Sequence, residues 1–173
     1  MFCLEKVSKR RIMGHDVECF PYLGKPVVLV DADACPVKNE IRQISAQYGI
    51  RVQFVASYAH YHQNDNANEW KFVDSDKESA DLYIVNHSQK GDCVVTQDMG
   101  LAASIIPKGV ICLTPRGKVI NEKDLDSILF FRYASKKARR GGERTRGPKK
   151  FTEQDRQNFC KEFEQILSKL EGI

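Results

Sequence analysis

No stretch of this 173-residue chain approaches the roughly 20 consecutive apolar residues that a membrane helix requires, so a spanning helix is not expected. The opening residues, MFCLEKVSKRRIMGHDVECF, carry basic side chains but no uninterrupted apolar segment, which argues against a secretory signal. The six cysteines (Cys3, Cys19, Cys35, Cys93, Cys112, Cys160) include no CxxC pair, so a zinc site is not indicated. With no export signal, six reduced thiols in a cytoplasmic protein are expected. No internal repeat is present.

What is there is ordinary in bulk and uneven in detail. A hydrophobic content of 42% and a length of 173 residues suit one globular domain with a real core. The net charge is +4, yet nine basic residues and one acid lie between Arg132 and Lys150. That local balance of +8 leaves the rest of the chain near −4, a positive arm on a mildly acidic body.

The run Val27–Val30 is short, β-branched and continuous, the pattern of a buried strand. Pro36 suits a first helical turn, Val37, Ile41, Ile44 and Tyr48 recur at helical spacing, and Gly49 is a natural stop. Residues 50–56 predict a second strand, and the polar stretch 57–70 a long loop. A helix is expected over about 77–87, then a turn and a strand within GDCVVTQD (91–98). Leu101, Ala102, Ile105 and Ile106 predict a short helix ended by Pro107 and Gly109, followed by a strand over 110–113. A helix from Glu122 to about Arg140 starts apolar and ends basic. In the last helix, from Thr152, Phe159, Phe163, Ile166, Leu167 and Leu170 share one face, and Thr152 and Asp155 have capping-box spacing. The alternation predicts an α/β fold, a three-layer α/β/α sandwich on a mainly parallel sheet. The domain is expected over 25–173, with the basic arm 132–150 and the terminal helix 152–170. Residues 1–24 are an ordered extension, a flexible tail or a segment foreign to the domain.

The chemistry gathers at the strand ends. Parallel strands bring their carboxyl ends to one rim, where ligands usually bind. Asp31 ends the first strand, Asp33 lies just past it, and Asp98 ends the VVT strand about 65 residues later. Asp81, on the preceding helix, can reach the same cleft. Clustered carboxylates raise one another's pKa unless something positive intervenes. A hard divalent cation does this with two or three acids, since Mg²⁺ keeps several waters. Such an ion activates water and stabilises charge on a phosphoryl oxygen. The competing reading is structural: Asp33 and Asp98 both precede helices and could be N-caps. Asp31, directly after the buried run, resists that explanation.

The segments DADACPVK (31–38), VVTQD (94–98), LTPRGK (113–118) and RTRGPKKFTEQDRQNF (144–159) resemble the YaiI/YqxD family of bacterial proteins, over roughly 27–170. The resemblance implies a branch of the PIN-like nucleases, which set acids on a parallel sheet, bind Mg²⁺ or Mn²⁺ and cleave RNA. Asp31 and Asp98 match the acids at the two strand ends, and Asp33 belongs to the family's own motif. Asp81 matches an Ala-Asp pair that many relatives follow with a second acid, where this chain has Leu82.

Cys35, before a helix N-terminus, raises a nucleophile hypothesis, but a small residue packed in the strand–helix turn is the simpler reading. Lys38 in the first helical turn hints at a phosphate contact. His60 and His62, beside Tyr58 and Tyr61, lie either in a flexible loop or on a substrate-facing lip where rings stack on bases. The basic arm KKARRGGERTRGPKK (136–150) points to nucleic-acid phosphates through Arg139, Arg140, Arg144, Arg146, Lys149 and Lys150. Arg116 is expected at the acid rim, against the acids or a phosphate.

Three functions compete. The first is a metal-dependent nuclease acting on RNA or single-stranded DNA, with Asp31, Asp33, Asp81 and Asp98 as catalytic acids and Asp31, Asp98 and Asp33 holding Mg²⁺ or Mn²⁺. The second is a phosphatase of the haloacid dehalogenase type, with Asp31 as nucleophile and Asp33 as general acid. The third is a non-catalytic RNA-binding protein. No membrane partner is expected, and a homodimer is in keeping with PIN-like proteins that pair up.

Overall fold

A computed structural model describes residues 9–12, 15–18, 25–60, 69–74, 76, 78–127, 130 and 149–171. The first two strands, β1 (Lys9–Ile12) and β2 (His15–Glu18), pair antiparallel as a two-stranded sheet within the segment whose state the sequence left open. The main sheet has six strands: β3 (Val27–Asp31), β4 (Arg51–Ser57), β5 (Trp70–Val73), β6 (Cys93–Val95), β7 (Ile111–Leu113) and β8 (Val119–Ile120). Their order is β5-β4-β3-β6-β7-β8, parallel throughout except for β8, which runs antiparallel to β7.

Side-chain alternation splits this sheet into two cores. Val28, Val30, Phe54, Cys93 and Val95 face α1 (Lys38–Gln47) and the terminal helix α4 (Glu153–Glu171), which contributes Phe159, Phe163 and Leu167. Leu29, Val55, Val94 and Cys112 face α2 (Ser79–His87) and α3 (Met99–Ile105). Helices on both faces of a mostly parallel sheet make the three-layer α/β/α architecture.

Several expectations shift in detail. The stretch 57–70 is not all loop: residues 58–60 form a 3₁₀ turn and Trp70 begins the edge strand β5, which sequence reading missed. The two-residue β8 was also missed. The helix from Glu122 is described over 122–127, and its extension to Arg140 lies outside the described residues. The capping box forms as expected: the Thr152 amide donates to Asp155 Oδ2 at 2.9 Å and the Asp155 amide to Thr152 Oγ1 at 3.2 Å.

Candidate acidic site at the sheet rim

The register of β3 and β6 builds the site. Val30 pairs with Val95, so the next residues, Asp31 and Thr96, leave the sheet side by side. Thr96 is buried, and its hydroxyl donates to Asp31 Oδ2 at 2.8 Å while accepting the Asp98 amide at 2.9 Å. One hydroxyl thus ties the end of β3 to the start of α3. Gln97 adds a second tie, donating from Nε2 to the Ala34 carbonyl at 2.8 Å. Sequence reading passed over Thr96. The available signal was the position directly after the buried Val94–Val95 run, with Asp98 two residues beyond.

The acids are arranged unequally. Asp31 has its proton affinity raised above the ordinary carboxylate range, first by burial and then by the charges of Asp33 and Asp98, against the lowering effect of Thr96. The three acids expected at the rim therefore lie within electrostatic reach. Asp33 does not cap α1. Its carboxylate accepts the Ser57 amide at 3.1 Å, linking the loop after β3 to the end of β4. Asp98 lies three residues beyond β6 and does cap α3, with Oδ1 accepting the Gly100 and Leu101 amides at 2.5 and 3.2 Å. Asp81 and Asp98 both line an open groove of about 900 Å³ between α2 and α3, with Glu78, Leu82 and Ser104. Leu82 stands 62% exposed there.

Among the described residues no three His, Cys, Asp or Glu side chains meet closely enough to hold a metal by themselves. The bonds described for Asp31 fall on Oδ2 and those for Asp98 on Oδ1. Were a hard ion to bind here, Asp31 Oδ1 and Asp98 Oδ2 would be the oxygens left to hold it, with water completing its shell as around Mg²⁺.

The expected phosphate-binding residues divide. Lys38 begins α1 with its Nζ 5.4 Å above the Trp70 ring. Arg116 does not face the acids: its guanidinium bonds Asp155 Oδ2 and the Lys149 carbonyl and lies 5.7 Å from the Phe151 ring, clamping the approach to α4. Asp155, the fifth residue of the FTEQD segment, takes the guanidinium instead of the rim acids. Lys149 and Lys150 are exposed, whereas Arg139, Arg140, Arg144 and Arg146 lie outside the described residues, as does His62. Cys35 is buried with its thiol pushed up to about 11, first by desolvation, which makes it a core residue and a poor nucleophile.

The fold and this rim define a class, doubly wound α/β proteins with carboxylates at the C-terminal ends of adjacent parallel strands. Residues 29–169 match the model of the family described as "Uncharacterized BCR, YaiI/YqxD family". A UPF0178 protein of Bacillus cytotoxicus is 50% identical over 146 residues, 84% of this chain and 95% of that protein. One of Bacillus velezensis is 47% identical over 147 residues, covering 84% of this chain and 88% of its own length. One of Listeria monocytogenes is 46% identical over 134 residues, covering 78% and 90%. The chain belongs to the YaiI/YqxD family. No solved structure matches it.

Proposed function

We propose that this protein is a metal-dependent nuclease that hydrolyses phosphodiester bonds in RNA or single-stranded DNA. The observation that carries the reading is the convergence of Asp31, Asp33 and Asp98 on one rim, with Asp31 half-buried and its charge opposed by its surroundings. Mg²⁺ or Mn²⁺ bound there would supply an activated water and charge stabilisation at the phosphoryl oxygens. Asp31 and Asp98 offer the oxygens that would hold it. The Thr96 hydroxyl orients Asp31, and Asp33 and Asp81 would add further negative charge to the site. Lys38, Lys149, Lys150 and the basic run 132–150 would hold the phosphate backbone through charge. The described cysteines are free thiols, in keeping with a cytoplasmic setting.

Cleavage of an end-labelled single-stranded RNA tests the reading. The wild-type protein is expected to cut in Mn²⁺, to stop in excess chelator, and to lose at least about a hundredfold in rate as Asp31→Asn. Cleavage that ignores both chelator and substitution overturns it. Turnover of small phosphate monoesters with no strand cleavage would select the dehalogenase-type phosphatase instead.

A second reading has an observation in its favour. Asp98 is already employed as a helix cap, and Leu82 stands in the groove as an exposed apolar residue. A nucleic-acid-binding protein without cleavage would use the basic run alone, giving salt-sensitive RNA binding that is indifferent to Asp31→Asn.

A further inference from the structure

Beside the acid rim the sheet carries a file of aromatic rings. Phe54 on β4 stacks on Trp70 at 5.1 Å between centroids, Trp70 on Phe72 at 5.6 Å with planes only 4° apart, and Phe72 meets Tyr58 at 6.0 Å. Burial falls along this file. Phe54 is fully buried, Trp70 and Phe72 are partly covered, and Tyr58 is 61% exposed. The alternation of β5 places Trp70 and Phe72 on the same face, and the 3₁₀ turn after β4 brings Tyr58 to their open end. The exposed ring is therefore backed by stacked rings down to the core, which limits the entropy lost when something settles on it.

Its position relative to the acids is fixed by the backbone. Val55 is the register partner of Asp31, and Tyr58 follows three residues later. Ser57, immediately before Tyr58, gives its amide to Asp33. Lys38 brings a cation to the same file, over Trp70. A rigid, exposed, electron-rich ring, a neighbouring ammonium and a carboxylate rim at the next turn of chain suit an unpaired base whose backbone passes the acids. A base within a duplex has both faces covered by its neighbours and cannot use such a ring.

We propose that Tyr58, supported by Phe72 and Trp70, is a stacking shelf for an unpaired nucleobase, which makes single-stranded nucleic acid the ligand of this site. This rests on the nuclease reading for its use but not for its test. Binding is measured in excess chelator, where no cleavage intervenes, by fluorescence anisotropy of a labelled single-stranded 12-mer of mixed sequence, as RNA and as DNA, and of the corresponding duplexes. Tyr58→Ala is expected to weaken single-strand binding about tenfold. Tyr58→Phe and Tyr58→Trp are expected to stay within about twofold of wild type, because the π-face is kept. Duplex affinity is expected not to change. Dependence on Tyr58 with either RNA or DNA supports the shelf and identifies its preferred strand.

Unaltered single-strand affinity in Tyr58→Ala for both strands overturns the shelf, as does an equal loss on duplexes or an equal loss in Tyr58→Phe. A matching thermal unfolding curve confirms that Tyr58→Ala is folded, as expected for an exposed side chain. Aromatic-dependent binding without Mn²⁺-dependent cleavage would overturn the nuclease reading and leave the shelf standing. Cleavage with binding insensitive to Tyr58 would do the reverse.

Discussion

Thr96 meets two demands with one hydroxyl, donating to the Asp31 carboxylate and accepting the Asp98 amide. Thr96→Val keeps the shape and removes both bonds. The variant is expected to lose about 1–3 kcal/mol in urea denaturation, since the site is buried. Mn²⁺ affinity, read by calorimetry, is expected to fall about tenfold as the carboxylate loses its orienting partner. A second residue-scale prediction concerns Asp31. Its folded pKa is raised, so the stability it contributes is complete below its ordinary 3.8 and lost as pH rises through the raised value. Without divalent ions, Asp31→Asn is therefore expected to gain on the order of 1 kcal/mol at neutral pH, a gain that disappears on acidification. At this scale the placement of Asp31, Asp33 and Asp98 near strand ends was legible because each comes at or just after an apolar run. The bonding partners of Thr96 and Arg116 were not, because hydrogen bonds across 65 and 39 residues leave no local pattern.

Among elements, the turn joining β7 to β8 shows how a short motif governs distant packing. Gly117 has φ +80°, and a Cβ there would lie 2.6–2.7 Å from the backbone of Asn158 and Phe159 in α4. Gly117→Ala is expected to cost about 2 kcal/mol or more in urea denaturation, because backbone rather than a flexible side chain must yield. α4 supplies Phe159 and Phe163 to the core, so the whole helix would shift. The sequence announced this turn through TPRG, and announced α1, α3, α4 and the parallel strands β3, β4, β6 and β7 through periodicity and stops. It hid β5 and β8. Trp70–Val73 is a four-residue edge strand adjoining a polar stretch, and β8 has two residues, too few for a period. Their pairing comes from the neighbouring strands.

For the molecule as a whole, sheet polarity decides where function can lie. Strands β3 to β7 run in one direction, so the acids after β3 and β6 and the aromatic end of β4 share a rim that no single segment contains. The basic run 132–150 supplies charge of the opposite sign to the acidic body. Replacing Arg139, Arg140, Arg144 and Arg146 with glutamine is expected to lower the slope of log affinity against log salt by about 3 for single-stranded RNA, if all four contact phosphate. An unchanged slope would remove the run from the interface. No described helix is long and apolar enough to cross a membrane.

The most direct measurement is diffraction from crystals soaked in Mn²⁺, recorded at the manganese absorption edge. An anomalous peak is expected about 2.1 Å from oxygens of both Asp31 and Asp98, with water in its remaining positions. A rim without manganese, its carboxylates satisfied only by the Thr96 hydroxyl and the α3 amides, would contradict it.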